Sequence, residues 1–138
     1  MKRKMILFSF FIILQLGLTF SSCSKNDDTP KDINGEWLVT CNITSCYTAT
    51  VSKIITVTDG SFDDEIGTYS SYGDTETVSI QGTFEVRGTS SYTVSGNEYL
   101  SGSACNGGNG FYGIISTASD PITGDSPSSW GTIHWEKQ

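Results

Sequence analysis

Across residues 34–138 no apolar pattern at helical spacing survives for ten residues, whereas alternation of apolar and polar side chains recurs along the chain. That absence constrains the fold more than any motif does. A period of two gives one wet and one dry face only to an extended strand. In residues 36–43, Trp37, Val39, Cys41 and Ile43 share one face, the pattern of a half-buried strand. Residues 48–58 form a second β-branched run around Val51, Ile54, Ile55 and Val57, with a break in alternation that suggests a bulge. Asp59-Gly60 marks a turn.

Residues 61–75 turn acidic and then aromatic, and read as a long loop or a weak edge hairpin. Residues 76–80 and 83–87 are two short strands, with Val78, Ile80, Phe84 and Val86 pointing one way and Gln81-Gly82 as a bend. Residues 92–95 and 98–101 flank Gly96-Asn97, a dipeptide suited to a tight two-residue hairpin. Residues 104–110 read as a glycine-rich loop, 111–117 as a strand, 118–129 as a loop around Pro121, Gly124 and Pro127, and 130–136 as the closing strand. About eight short strands without a helix predict an all-β fold, an antiparallel meander closed into a small barrel or sandwich. Closure would bury the apolar faces and remove exposed strand edges.

The N-terminus carries an address. Lys2, Arg3 and Lys4 precede an almost wholly apolar stretch over residues 5–20, which is the layout of a secretory signal and is short for a membrane span of roughly 20 residues. Phe20-Ser21-Ser22-Cys23 resembles the relaxed lipobox of Bacteroidota lipoproteins. The resemblance implies cleavage after residue 22 and lipid on Cys23. Ser24-Lys25-Asn26-Asp27-Asp28 is similar to the acidic export signal of surface lipoproteins in those bacteria, which implies an outer-membrane anchor and display at the cell surface. Residues 1–22 are thus expected to be a signal peptide, 23–33 a lipidated flexible tether, and 34–138 the folded domain. Each buried acyl methylene contributes ~0.8 kcal/mol, so two or more chains hold a protein stably at a membrane.

Without residues 1–22, 116 residues remain, enough for one domain. They hold five Lys and Arg against fifteen Asp and Glu, a net charge of 5 − 15 = −10. Such a surface repels phosphate backbones, so nucleic acid is not an expected partner. Three cysteines remain besides Cys23, in a compartment that permits disulfides. Closing Cys46 to Cys105 would contribute ~4 kcal/mol and Cys41 to Cys46 only ~2 kcal/mol. Because Cys41 shares the dry face of its strand with Trp37, Cys46–Cys105 is the expected pair.

Gly35-Glu36-Trp37 at the start of the first strand resembles the Gly-x-Trp signature of lipocalin-like and avidin-like barrels. The tail Ser129-Trp130-Gly131-Thr132-Ile133-His134-Trp135 is similar to the terminal strand of small lipocalin-like (calycin-type) lipoproteins. These two resemblances imply a lipocalin-like β-barrel with Trp37 packed across one end.

Reactive chemistry is sparse. The single histidine, His134, lies between Ile133 and Trp135 and should face away from both, towards solvent or a hydrogen-bond partner. Asp59, Asp63, Asp64 and Glu65 lack the spacing of a calcium loop. Three scattered cysteines with one histidine do not make a zinc set. Gly107-Gly108-Asn109-Gly110 lacks the lysine and helix of a phosphate loop. No catalytic residue, metal or cofactor is therefore expected. Phe62, Tyr69 and Tyr72, in a glycine-punctuated segment, are the candidate ligand contacts. The expected function is non-enzymatic binding of a small apolar molecule or a sugar at an open barrel end rimmed by residues 60–75. The alternative is a protein-interaction module, either an accessory subunit of a surface complex or an inhibitor of a secreted enzyme.

Overall fold

The computed structural model describes residues 32–138 except Tyr47 and Ala104, so the expected signal peptide and the lipid site at Cys23 lie outside the described residues. Eight strands and no helix make up the described chain: β1 (Gly35–Ile43), β2 (Ala49–Val57), β3 (Ser61–Ser71), β4 (Asp74–Arg87), β5 (Ser91–Ser101), β6 (Gly107–Ser116), β7 (Thr123–Pro127) and β8 (Gly131–Lys137). They form two antiparallel four-stranded sheets, ordered β2-β1-β8-β7 and β3-β4-β5-β6.

The all-β class and the meander order hold, but the expected barrel closure does not. Among the described residues, each place where a barrel would continue its ladder shows one isolated bridge, Thr58 with Ser61 just beyond β2 and Phe111 with Ser128 just beyond β7. Small residues at these seams show why. A Cβ on Gly113 would lie 2.4 Å from the Asp125 carbonyl oxygen, and one on Gly67 would lie 3.2 Å from Val51 Cβ. The β6 backbone therefore packs against β7 backbone at one seam, and the β3 backbone against the Val51 side chain at the other, while the ladder itself does not continue across either. Lys53 spans the first seam, donating to Asp64 at 2.5 Å and to the Glu65 carbonyl at 2.9 Å.

Eight strands arise, but not the eight read from the sequence. The hairpin expected at Gly96-Asn97 is absent, because β5 runs straight through it. The strands expected over 76–80 and 83–87 are likewise one strand, β4. The reason is a glycine pair: Gly82 and Gly96 are register partners, and a Cβ on Gly82 would sit 2.2 Å from the Ser95 carbonyl oxygen and 2.8 Å from Gly96 Cα. Missing side chains thus crease a continuous sheet where a turn was expected. Conversely, β3 occupies the segment read as loop or hairpin, β7 lies inside the expected loop over 118–129, and β6 begins in the glycine run. Tight turns sit at Asp59-Gly60 and Tyr72-Gly73, where both residues of each pair have positive φ, the geometry that matches strand twist. The bulge suspected in β2 is not there, since its pairing with β1 is unbroken. A bulge falls instead in β3, between Glu65 and Gly67.

The alternation of β1 is realised, with Trp37, Val39, Cys41 and Ile43 all buried. Trp37 stacks on Phe84 with centroids 4.7 Å apart, and Phe62, Phe111 and Trp135 extend the ring cluster at 5.2–6.3 Å. Trp37 Nε1 donates to the Ile33 carbonyl, and Ile33 packs on the core. Above the Trp37 ring, 5.2 Å from its centroid, lies Lys137 Nζ, which also donates to the carbonyls of Asp32 and Asn34. This ammonium ties the first and last strands together at one end of the domain. At the other end Cys46 and Cys105 are bonded, as expected, with Cα atoms 6.1 Å apart, and Cys41 is a buried free thiol.

Candidate functional site

The three expected ligand contacts are not gathered in one place. Phe62 faces inward among Phe84, Phe111 and Trp135 and is 4% exposed. Tyr69, near the far end of β3, donates its hydroxyl to the buried carboxylate of Glu76. Tyr72, at the hairpin tip, is 90% exposed. Alternation disperses the acidic run as well: Asp63 and Glu65 point outward, whereas Asp64 turns to Lys53. Among the described residues no three His, Cys, Asp or Glu side chains converge as a metal set would. His134 faces outward on β8 and pairs with Asp125 at 2.6 Å.

What the fold assembles in place of an open mouth is a depression of about 490 Å3 on the outer surface, where β2 turns into β3 beside β4. Thr56 comes from the end of β2, Thr58 from the residue just beyond it, Ser61 and Asp63 from β3, and Gln81 and Thr83 from β4. Register explains the convergence. Ser61 lies opposite Thr83 and Asp63 opposite Gln81, so alternation turns all four outward from one face. Between these pairs lies Phe62 opposite Gly82, whose side-chain positions face inward, so the floor is backbone. The crease at Gly82 and Gly96 and the turn at Asp59-Gly60 bring the end of β2 close enough to complete the wall.

The lining side chains are four hydroxyls, one amide, one carboxylate and the edge of Phe62, with no cation among them. Gln81 Nε2 donates to Asp63 Oδ2 at 3.3 Å, which holds one amide and one carboxylate side by side. Both keep spare acceptor capacity, and the four hydroxyls each donate and accept. Such a surface presents many hydrogen-bond donors and acceptors side by side. It offers neither a nucleophile with its base nor a ring of apolar side chains.

A second depression, of about 390 Å3, lies at the Lys137 end, lined by Asp32, Asn34, Asp120, Pro121, Ile122, Lys137 and Gln138. Its one cation is already engaged with two carbonyls and the Trp37 ring. Burial pushes the Lys137 ammonium pKa down, and the Asp32 carboxylate offsets part of that. Structural closure is the role these contacts define.

The interior contains two further carboxyls, Glu76 and Glu98, on the inner face of β4 and β5. Glu98 accepts a hydrogen bond from Ser128 Oγ at 2.9 Å. Burial raises its pKa, and that hydrogen bond lowers it only in part. Cys41 lies within reach of Glu98, and burial first, then that carboxylate, push its thiol pKa far up, so it is not a reactive thiolate. No protein-family model, no curated protein and no solved structure matches the chain.

Proposed function

We propose that this chain is a non-enzymatic sugar-binding module, held at a bacterial outer membrane by lipid on Cys23 and displayed on the cell surface. The observation that carries the sugar reading is the depression whose rim combines the hydroxyls of Thr56, Thr58, Ser61 and Thr83 with the Asp63–Gln81 pair. Polar groups already fixed by strand register lose little freedom on binding. The interior supports the same choice over an enclosed apolar ligand, since the rings of Trp37, Phe62, Phe84, Phe111 and Trp135 pack against one another where such a ligand would sit. The meander order and the burial of Trp37 at one end of the fold support kinship with lipocalin-like proteins as part of the proposal.

A glycan array probed with the purified chain tests the reading, followed by calorimetric titration of whatever is retained. Gln81→Ala should weaken binding about 10-fold, the equivalent of one lost hydrogen bond of ~1.4 kcal/mol. An array that retains nothing overturns it. The exposed ring of Tyr72 at the β3–β4 tip favours a second reading, contact with a protein partner. Capture of one protein from the cell envelope by the native chain, lost on Tyr72→Ser, would select that reading. For the anchor, Cys23→Ala should abolish incorporation of a labelled fatty acid and release the chain from membranes.

A further inference from the structure

Resting on the sugar reading, we infer that the ligand is a linear oligosaccharide laid across strands β3 to β6 on the outer face of the second sheet, with Tyr99 and Tyr112 as its stacking platforms. Register ties these tyrosines to the depression. The row that contains Asp63 and Gln81 continues through Asn97 to Gly110. On one side of it the next outward row ends in Tyr112, and on the other side Tyr99 lies opposite Gly108. Three strand spacings of ~4.8 Å separate Asp63 from Gly110, a path of ~14 Å that roughly three linked pyranose rings would cover.

Side-chain volume along this path is arranged for a flat ligand. A Cβ on Gly108 would lie 2.7 Å from Tyr99 Cε1. The Tyr99 ring therefore lies down over the β6 backbone, with its other face turned to solvent at 41% exposure. Tyr112 is 53% exposed and stands four residues along β6 from Gly108, ~13 Å away at the rise of a strand. Between them, the nearest atom to a Cβ on Gly110 would be 3.9 Å distant, so the strip between the rings is open. Exposed aromatic faces bind the apolar faces of sugar rings, while Asn97 and Gln81 supply amide donors and acceptors between them.

Charge argues in the same direction. In a chain carrying −10 beyond residue 22, the three rows that cross β4, β5 and β6 here contain no charged residue. The acids stay on β3, at Asp63 and Glu65, and beyond the crease, at Glu85. A basic peptide would find counter-charge only at the β3 end, from Asp63 and Glu65, and none across β4 to β6, and an apolar partner would bury the Gln81 and Asn97 amides unpaired. A neutral hydroxylated chain satisfies both.

Ladders of linear β-1,4-linked glucose, mannose and N-acetylglucosamine oligosaccharides, one to six units long, titrated into the native chain, test this. Affinity should climb with length and level off after about four units. Tyr99→Ala and Tyr112→Ala should each weaken the six-unit probe about 10-fold or more and be largely rescued by Trp. Both rings are exposed, so the variants should keep the parent circular dichroism spectrum. Affinity independent of length, or six-unit binding indifferent to both substitutions, overturns the inference. If binding still depends on Gln81 in that case, the depression stands as a small-sugar site. Failure of every ladder also overturns it, even where the array retains a branched glycan; an empty array removes the sugar reading along with it.

Discussion

The two ends of the inner face are built on opposite principles. At the end closed by Lys137, aromatic rings fill the space between the sheets, and Trp37, Phe84 and Tyr92 touch at 4.7–6.5 Å. At the disulfide end the same strands bury Glu76 and Glu98, each answered by a hydroxyl, from Tyr69 and Ser128. A Cβ on Gly102 would collide with the Glu76 carboxyl group, so the backbone there is shaped around an acid. The aromatic end gains from dispersion and removal of apolar surface from water. The acidic end bears a desolvation penalty and is held by a covalent closure of the chain. One end therefore stabilises the fold through packing, and the other depends on a cross-link.

That contrast can be broken from the aromatic side first. Trp37→Ala should lower unfolding free energy by about 3–5 kcal/mol, through lost apolar burial and the cavity left behind, read as a shift in the urea midpoint. A loss under about 1 kcal/mol would show that this end is not the seat of stability. Next, the Cys46→Ser, Cys105→Ser double variant should lose ~4 kcal/mol, because the bond closes a separation of 59 residues. Hydrogen exchange should then rise in β5 and β6 near Glu98 before it rises around Trp37. Uniform loosening would show that the two ends are one cooperative unit.

The smallest effect sharpens the comparison. Because burial holds the Glu98 pKa above the ordinary carboxyl value of 4.5, the folded state binds this proton more tightly than the unfolded chain does. Its stabilising contribution is full below about pH 4.5 and is lost as pH rises through the folded value. Glu98→Gln keeps an acceptor for Ser128 and removes the charge. It should raise stability at pH 7.5 by about 1 kcal/mol and leave it nearly unchanged at pH 4. Equal effects at both pH values would show that ionisation of Glu98 is not a cost to the fold.

Particular residues show what could be read from the chain and what could not. Strand β1 was legible, because alternation over residues 36–43 has only one structural meaning, and the same alternation identified Cys41 as a core thiol. Asp59-Gly60 was legible as a turn, because an Asp-Gly pair ends the β-branched run of residues 48–58. Gly96-Asn97 carried an equally strong local signal and is not a turn. A glycine permits positive φ and also permits backbone contact, and only its partner across the sheet, Gly82, shows which use is made of it. Phe62 looked like a loop aromatic because acidic neighbours masked its phase, yet its place opposite Gly82 turns it inward. The outward tyrosines of β5 and β6 were missed although a signal existed. Buried Glu98 and Leu100 on either side of Tyr99 force it outward, but a glutamate does not announce itself as a core residue.

Local chemistry alone settled the extended conformation and the dry face of β1, since each follows from side-chain period, which needs no knowledge of neighbours. Tertiary structure decided that the meander stays open as two sheets, that a supposed hairpin is a crease, and that hydroxyls from three strands share one depression. Those outcomes depend on which glycine faces which backbone across a sheet or a seam, a relation between residues distant in the chain that no local pattern encodes.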